Sequence, residues 1–251
     1  MSAPAAQPAA AQRAPALQLL GSLFFTAFLF VWTFLFAIAF VLLCLFLPFP
    51  RRFGLVQVYA RSILAVLRWT CGLTYQIEGE IPAGCHVALW KHSSSWETIA
   101  MMVVFPRQVW VLKRELIWIP VVGVAVRQMH AIAIDRKAGH SAVAQVVEQG
   151  KERLDEGDWV IIFPEGTRMP AGETRRYGVS GTLLAQETGK LIVPVAHNSG
   201  YYWPRRGWLK KPGVVRVVIG APVSPAGRDV REVNEEIQAW VEATVRELTP
   251  A

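Results

Sequence analysis

The chain has 251 residues, of which 53% are hydrophobic and only 18% are charged. This composition is too apolar for a disordered chain, and the spacing of Cys44, Cys71 and Cys85 fits neither a CxxC metal pair nor a disulfide framework. The formal net charge of +7 favours an anionic partner, such as lipid headgroups or a phosphorylated substrate.

The N-terminal part consists of a polar tail and a long apolar segment. Residues 1–16 are rich in Ala, Pro and Gln, which predicts a disordered tail. Leu19–Leu47 contains no charged residue. It is longer than the roughly 20 residues needed to cross a bilayer core and too long for the apolar part of a signal peptide, roughly 7–15 residues. We interpret it as an uncleaved membrane anchor that must tilt, bend or extend past the interface.

Arginines follow the anchor closely: Arg51, Arg52, Arg61 and Arg68. Only Arg13 precedes it, so the positive-inside rule predicts a chain in the inner membrane with its catalytic domain on the cytoplasmic face. Phe53–Cys71 is amphipathic, and two interpretations stay open. It is either a helix at the membrane interface or a helix packed on the anchor. We group residues 17–72 as membrane anchor and interfacial helix.

Residues 73–251 alternate short apolar runs with longer periodic ones. The short runs predict strands at Tyr75–Glu78, His86–Trp90, Val109–Leu112, Ala131–Ile134, Trp159–Phe163, Leu191–Ala196 and Val214–Ile219. The periodic runs predict helices at Trp96–Val104, His140–Leu154, Val179–Glu187 and Arg231–Leu248. This alternation predicts one α/β domain in which helices cover a mixed, largely parallel sheet.

The segment from His92 to Glu97 carries the first candidate for chemistry. His92 follows a predicted strand, and Glu97 reaches it only if a helix begins between them, at Ser94 or Ser95. Ser94 and Glu97 also have the spacing of a capping box, which is a purely structural interpretation. In the functional interpretation, Glu97 holds the imidazole and His92 acts as a general base. Both can hold at once.

A second polar segment, Phe163-Pro164-Glu165-Gly166-Thr167-Arg168, follows another predicted buried strand. Open α/β sheets bind ligands at the carboxyl ends of their strands. Glycine allows close backbone approach, and arginine can grip a phosphate through two parallel hydrogen bonds. The segment is either a phosphate-binding turn or a solvated loop.

Together with one segment between them and one after them, these two segments resemble the four ordered sequence blocks of the glycerolipid acyltransferases. The blocks are His92-xxxx-Glu97, Ile134-Asp135-Arg136, Phe163 to Arg168, and Ile192-Val193-Pro194-Val195-Ala196. The chain is most similar to the bacterial 1-acylglycerol-3-phosphate acyltransferases, which make phosphatidic acid. One position departs from the family pattern, because Glu97 stands where the family usually has Asp.

The resemblance implies a role for each matching residue. His92 would be the catalytic base and Glu97 its orienting carboxylate. The substrate-binding residues would be Lys113, Arg114, Arg136, Glu165, Gly166, Thr167 and Arg168: the basic ones would bind the acceptor phosphate, and Glu165 with Gly166 would shape the glycerol site. Pro194 belongs to a block that the family uses toward the acyl donor.

The implied reaction is direct acyl transfer from acyl-CoA or acyl-carrier protein to lysophosphatidic acid, with no cofactor and no metal. Alternatives are another lyso-lipid acceptor, such as lyso-ornithine lipid or lysophosphatidylglycerol, and a non-catalytic, membrane-anchored lipid-binding relative. The expected partners are the bilayer and these substrates. Nucleic acid is not among them, because no nucleic-acid-binding motif is recognised. The segment His197-Asn198-Ser199-Gly200, just after the last block, is a further candidate for lining the active site.

Overall fold

The computed structural model describes residues 14–136 and 138–250. The predicted disordered tail lies outside the described residues except for its last three, and Pro15 and Ala16 already belong to the first helix. The helices are α1 (Pro15–Cys44), α2 (Phe49–Cys71), α3 (Trp96–Val104), α4 (Val122–Gln128), α5 (His140–Asp155), α6 (Ser180–Thr188), α7 (Ser199–Tyr202) and α8 (Val230–Leu248). A short 3-10 helix covers Arg114–Trp118.

Seven strands form one sheet in the order β1-β7-β6-β2-β5-β3-β4. They are β1 (Leu73–Glu78), β2 (Val87–Trp90), β3 (Gln108–Lys113), β4 (Ile132–Ile134), β5 (Trp159–Ile162), β6 (Ile192–His197) and β7 (Gly213–Ile219). Neighbouring strands are parallel except β6 and β7. The predicted fold class is therefore confirmed, and each predicted strand and helix lies within two residues of its observed position.

Helices cover both faces of the sheet. Successive side chains of a strand point to opposite faces, so each central strand contributes to the core on both sides. Along β2, Ala88 and Trp90 belong to the core beneath α2 and α3. Val87 and Leu89 belong to the core beneath α5, α6 and α8. This explains why the central strands are continuous apolar runs rather than alternating ones.

The helix α2 packs against α1 and α3, which is the second of the two arrangements considered for Phe53–Cys71. A Cβ on Gly21 of α1 would collide with the backbone oxygen of Thr70, so the two helices are in close contact there. The indole of Trp32 donates to Ser62 Oγ at 2.8 Å, which adds a polar contact within the same helix pair. The two N-terminal helices are therefore part of the same packed structure as the sheet.

Among the described residues, α1 is the one helix long and apolar enough to cross a membrane, judged by length and composition. It ends at Cys44 rather than Leu47, since Pro48 and Pro50 begin the next helix. Arg52 is one of the arginines that follow the apolar segment. It donates to the backbone oxygens of Cys44 and Leu47, at 3.1 and 3.0 Å, and so caps α1.

Candidate active site

The candidate site lies at the carboxyl ends of β2 and β5, which are parallel neighbours in the sheet. His92 comes two residues after β2, and Phe163 directly follows β5. Because parallel strands end at the same edge of a sheet, the two motif segments meet there. The ring of Phe163 stacks on the imidazole of His92, with ring centres 4.3 Å apart.

His92 and Glu97 are in direct contact, with 3.0 Å between Nδ1 and Oε1. Helix α3 begins at Trp96, so Glu97 is in its first turn and His92 lies on the loop before it, as the sequence predicted. The same Oε1 accepts from the backbone N–H groups of Ser93 and Ser94, at 2.8 and 2.7 Å. The carboxylate of Glu97 thus contacts both the backbone just before α3 and the imidazole of His92.

The hydrogen bonds of Glu97 set its charge and the tautomer of His92. Burial by itself would raise the pKa of Glu97, but the hydrogen bond to His92, the nearby imidazoles and the Ser94 N–H outweigh it, and the pKa is lowered. An ionised carboxylate only accepts, so Nδ1 of His92 carries the proton. Its Nε2 is then left with a lone pair able to take a proton.

The second oxygen of Glu97 is also occupied. Ser199 Oγ donates to Oε2 at 3.0 Å and lies 2.9 Å from Nδ1 of the buried His197. Burial lowers the pKa of His197, and its Nε2 is 2.8 Å from the backbone oxygen of Lys91. The carboxylate that orients His92 is itself fixed from both sides.

The backbone of His92 is held by the second motif. Glu165 Oε2 accepts from the backbone N–H of His92 at 2.7 Å. The N–H of Met169 donates to the backbone carbonyl oxygen of His92, also at 2.7 Å. Glu165 Oε1 accepts from Nζ of Lys91, also at 2.7 Å. The side chain of Glu165 is fully buried, so both of its oxygens are used inside the protein.

His92 faces a cleft of about 290 Å³ that also contains Arg136 and Arg168. Arg136 donates to the backbone oxygen of Gly166. Gly166 has φ of +66°, a conformation that favours glycine, and Thr167 is half-buried beside it. The structure thus brings predicted site residues together around His92, with two guanidinium groups in the same cleft as the imidazole. These residues are Glu97, Arg136, Glu165, Gly166 and Arg168.

Lys113 and Arg114 lie in the chain between Leu112 and Leu116, which line this cleft, but do not line it themselves among the described residues. Lys113 is about half-exposed and pairs with Glu115 at 2.8 Å. Arg114 pairs with Asp135 at 2.9 Å. Their binding of phosphate remains a prediction.

An apolar pocket of about 150 Å³ adjoins the cleft. It is enclosed by α1, α2, α3, β3 and α4, and Phe36 and Phe40 of α1 are in its wall. The residues that line both cavities are Tyr59, Met102, Trp110, Val122 and Val126. The site therefore combines a base, two cations and adjoining apolar space.

The sequence offered Ser199 only as part of a segment that is a candidate for lining the site, and it assigned no role to Lys91 or Glu242. Ser199 follows β6, the other neighbour of β2, so the rule that parallel strands end at one edge would have brought it to the site. Lys91 directly follows four buried strand residues, a position that signals burial of its own side chain. Glu242 accepts a hydrogen bond from Lys91 but lies far along the chain on α8, and no sequence signal pointed to it. Within the described residues, no three or more His, Cys, Asp or Glu side chains are grouped to hold a metal ion.

Known proteins share this architecture. A family model described as acyltransferase matches residues 73–198, about half of the chain. A 1-acyl-sn-glycerol-3-phosphate acyltransferase of Pseudomonas aeruginosa is 41% identical over 210 residues, covering 81% of this chain and 82% of that protein. The corresponding alpha enzyme of Mus musculus is 28% identical over 75% of this chain and 70% of its own length.

A solved structure supports the fold independently. The crystal structure of the 1-acyl-sn-glycerophosphate (LPA) acyltransferase of Thermotoga maritima matches with a TM-score of 0.75, covering 92% of this chain and 95% of that one, at 21% identity. The resemblance inferred from the four sequence blocks is confirmed by the family model and by these relatives. The chain belongs to the acyltransferase family.

Proposed function

We propose that the chain transfers an acyl group from a thioester donor, acyl-CoA or acyl-carrier protein, to the free sn-2 hydroxyl of 1-acylglycerol-3-phosphate, giving phosphatidic acid. The observation that carries this proposal is the arrangement of His92. Its Nδ1 is fixed by buried Glu97, and it faces a cleft that holds two arginines and adjoins an apolar pocket. The relatives from Pseudomonas aeruginosa and Mus musculus carry the name of this activity.

The chemistry follows from the tautomer of His92. Nε2 takes the proton of the acceptor hydroxyl as its oxygen attacks the thioester carbonyl. The carbon–oxygen ester bond forms, the carbon–sulfur bond breaks, and the imidazolium returns the proton to the departing thiolate. Glu97 stabilises the positive charge that develops on the ring. The alcohol, the thioester and one base suffice, so the proposed reaction uses no cofactor.

Arg136 and Arg168 are the groups best placed to bind the acceptor phosphate. Both line the cleft with His92, and a guanidinium pairs with phosphate through parallel hydrogen bonds. Within the described residues Arg168 forms no ion pair that would compete with a ligand. The adjoining apolar pocket suits the acyl chains of the substrates.

The N-terminal helices support a location at a membrane. Helix α1 contacts the domain near both ends, since Gln18 donates to the backbone oxygen of Lys210 and Cys44 packs with Met129. Its other face exposes large apolar side chains, including Phe24, Phe30 and Phe34. This favours a helix that inserts its outer face into lipid alongside the domain over one that crosses the bilayer free of it.

The proposed location is the inner membrane, with the catalytic domain on the cytoplasmic face. The positive charges after α1 support this orientation, and both thioester donors are soluble. Leu116 and Ile119 line the cleft and are partly exposed apolar residues. A lipid acceptor could reach the cleft across such a surface without leaving the membrane.

The test is an assay of the full chain in membranes, with lysophosphatidic acid and labelled acyl-CoA or acyl-carrier protein in separate arms. We expect phosphatidic acid, and His92→Ala should lower kcat at least about 1,000-fold because the base is lost. His140→Ala is the matched control, since His140 is exposed at the start of α5.

Three outcomes would contradict the proposal. Full activity of His92→Ala would refute the mechanism. Turnover of lysophosphatidylglycerol or lyso-ornithine lipid but not of lysophosphatidic acid would move the chain to another acceptor, and no turnover of any lyso-lipid would favour a lipid-binding relative.

A further inference from the structure

A cluster of buried charged groups lies next to His92 in the chain and contains Lys91, Glu165 and Glu242. The side chain of Lys91 is only 2% exposed. Its Nζ lies 2.7 Å from Glu165 Oε1, 2.9 and 3.0 Å from the two carboxylate oxygens of Glu242, and 2.9 Å from the backbone oxygen of Glu173. An ammonium has three N–H donors, and here each has an acceptor group.

Glu242 is held in place from the other side. Its Oε1 accepts from the hydroxyls of Tyr177 and Thr174, both at 2.9 Å, and its side chain is 13% exposed. It lies on α8, beyond the end of the segment 73–198 that matches the family model. Helix α8 packs against β6 and α6, so this residue joins the C-terminal helix to the catalytic loop.

A continuous chain of contacts runs from Glu242 to the general base. Glu242 fixes the ammonium of Lys91, Lys91 fixes one oxygen of Glu165, and the other oxygen of Glu165 accepts from the N–H of His92. Stability alone is a poor explanation for such a cluster, because the desolvation of buried charges offsets much of their mutual attraction. An arrangement that directs one carboxylate at one backbone N–H points to positioning.

We propose that Glu242 is a positioning residue for catalysis: by fixing the ammonium of Lys91 it directs Glu165 at the backbone N–H of His92 and so sets the place of the general base. The inference rests on the proposed function, since it assigns a role to Glu242 in that reaction. Glu242 touches neither His92 nor the cleft around it among the described residues, and acts through Lys91 and Glu165.

The electrostatics of Glu165 make this role measurable. Burial, opposed by Lys91 and the His92 N–H and assisted by the charge of Glu242, raises the pKa of Glu165 to about 7. Protonation would place a hydroxyl against the ammonium or the N–H and so break the chain of contacts. The charged and titratable groups around Glu165 are Lys91, His92, Tyr177, Glu242 and, lining the adjacent cleft, Arg136, Arg175 and Arg176.

The decisive variant is Glu242→Gln, which keeps size and polarity but removes one negative charge. Lys91 then acts on Glu165 alone, so the pKa of Glu165 should fall. We expect the acidic limb of kcat/KM to move to lower pH by about 0.5–1 unit, with KM for both substrates within about twofold of the wild type. Glu247→Gln is the matched control, because Glu247 is exposed on the same helix; its pH profile should not move.

Two further variants separate positioning from stability. Glu242→Ala removes an acceptor of Lys91, and kcat should fall about tenfold while KM changes by less than about twofold. In a Glu165→Gln background no carboxyl at position 165 can titrate, so adding Glu242→Gln should produce no further shift of the acidic limb.

An unchanged acidic limb in Glu242→Gln would overturn the inference, as would an equal shift in the Glu165→Gln background. A fall in kcat that follows only the loss of folded protein on thermal melting, with an unchanged pH profile, would show a structural role and also overturn it. Failure of the proposed function is separate: the wild type would then form no phosphatidic acid, and the same profiles would be recorded with the lyso-lipid that it does acylate.

Discussion

The polar groups that contact Glu97 and the backbone of His92 differ from those in the cleft in burial and in hydrogen bonding. We call Lys91, Glu97, Glu165, His197 and Ser199 the supporting network. Each of these side chains is buried and each makes hydrogen bonds within the protein. In the cleft, Arg168 is half-buried and forms no ion pair within the described residues. Arg136 donates to one backbone oxygen, that of Gly166.

This difference indicates how the site divides its work. The supporting network is complete without substrate, so the free protein already holds His92 in one orientation and one tautomer, which is the preorganisation that catalysis requires. Within the described residues, neither Arg136 nor Arg168 forms an ion pair. Substitutions in the network should therefore lower kcat, whereas substitutions in the cleft should raise KM for the acceptor.

The largest of these effects is expected for Glu97→Gln. The carboxamide keeps the shape of Glu97 but carries no charge. Its oxygen can still accept from Nδ1 of His92 and from the Ser93 and Ser94 N–H groups, while its amino group faces Ser199 Oγ, which donates to the carboxylate in the wild type. We expect kcat to fall about 1,000-fold with KM within about twofold, because the charge that stabilises the imidazolium is lost. Loss of the charge-assisted hydrogen bonds should also lower the free energy of unfolding by about 1–3 kcal/mol.

Thermal melting of Glu97→Gln, monitored by circular dichroism, checks that the variant is folded at the assay temperature. Activity within about threefold of the wild type would show that the orienting carboxylate is dispensable and would remove the basis of the comparison.

The second largest effect is expected for Arg168→Ala, which tests the cleft side. Removing a guanidinium that binds a phosphate should raise KM for lysophosphatidic acid about 10–100-fold and leave kcat within about fivefold. Steady-state kinetics with varied acceptor measure both values. Arg205→Ala is the control, because Arg205 is exposed on the loop after α7 and does not line the cleft among the described residues. A loss confined to kcat would contradict the division of roles.

A smaller effect, again on kcat, is expected for Ser199→Ala. It removes the donor to Oε2 of Glu97 but leaves the three contacts of Oε1 in place. We expect kcat to fall about 3–10-fold. The loss of one hydrogen bond to a charged group costs about 1.5–3 kcal/mol, and only part of this cost raises the activation barrier of the reaction. Ser141→Ala, on exposed residue 141 of α5, is the matched control. An unchanged kcat would show that Oε1 alone orients Glu97.

The sequence predicted the fold and the contact between Glu97 and His92 because both depend on local patterns. Apolar runs mark β2 and β5, and the order of parallel strands brings His92 to Phe163. Its partners at long range had no such pattern. Ser199 and Glu242 reach the site only through the register of β6 beside β2 and the packing of α8, and neither can be read from spacing along the chain.

Lys113 is the position where the resemblance and the structure give different expectations, and it has the smallest expected effect. The resemblance assigns it to the acceptor phosphate. The structure places it outside the cleft among the described residues, about half-exposed and paired with Glu115. Exposed ion pairs are easily exchanged for water, so the pair itself does not prevent Lys113 from binding a ligand.

From this geometry we expect Lys113→Ala to raise KM for lysophosphatidic acid by no more than about threefold, well below the effect of Arg168→Ala. The comparison is made under identical conditions at low and high salt, because salt screens an exposed charge that does not contact the phosphate. A rise of about tenfold or more would mean that the side chain of Lys113 leaves Glu115 and reaches the phosphate when the acceptor binds, since a side chain must approach a phosphate to contribute that much. The cleft would then be completed by the substrate, whereas the supporting network of His92 is complete without it.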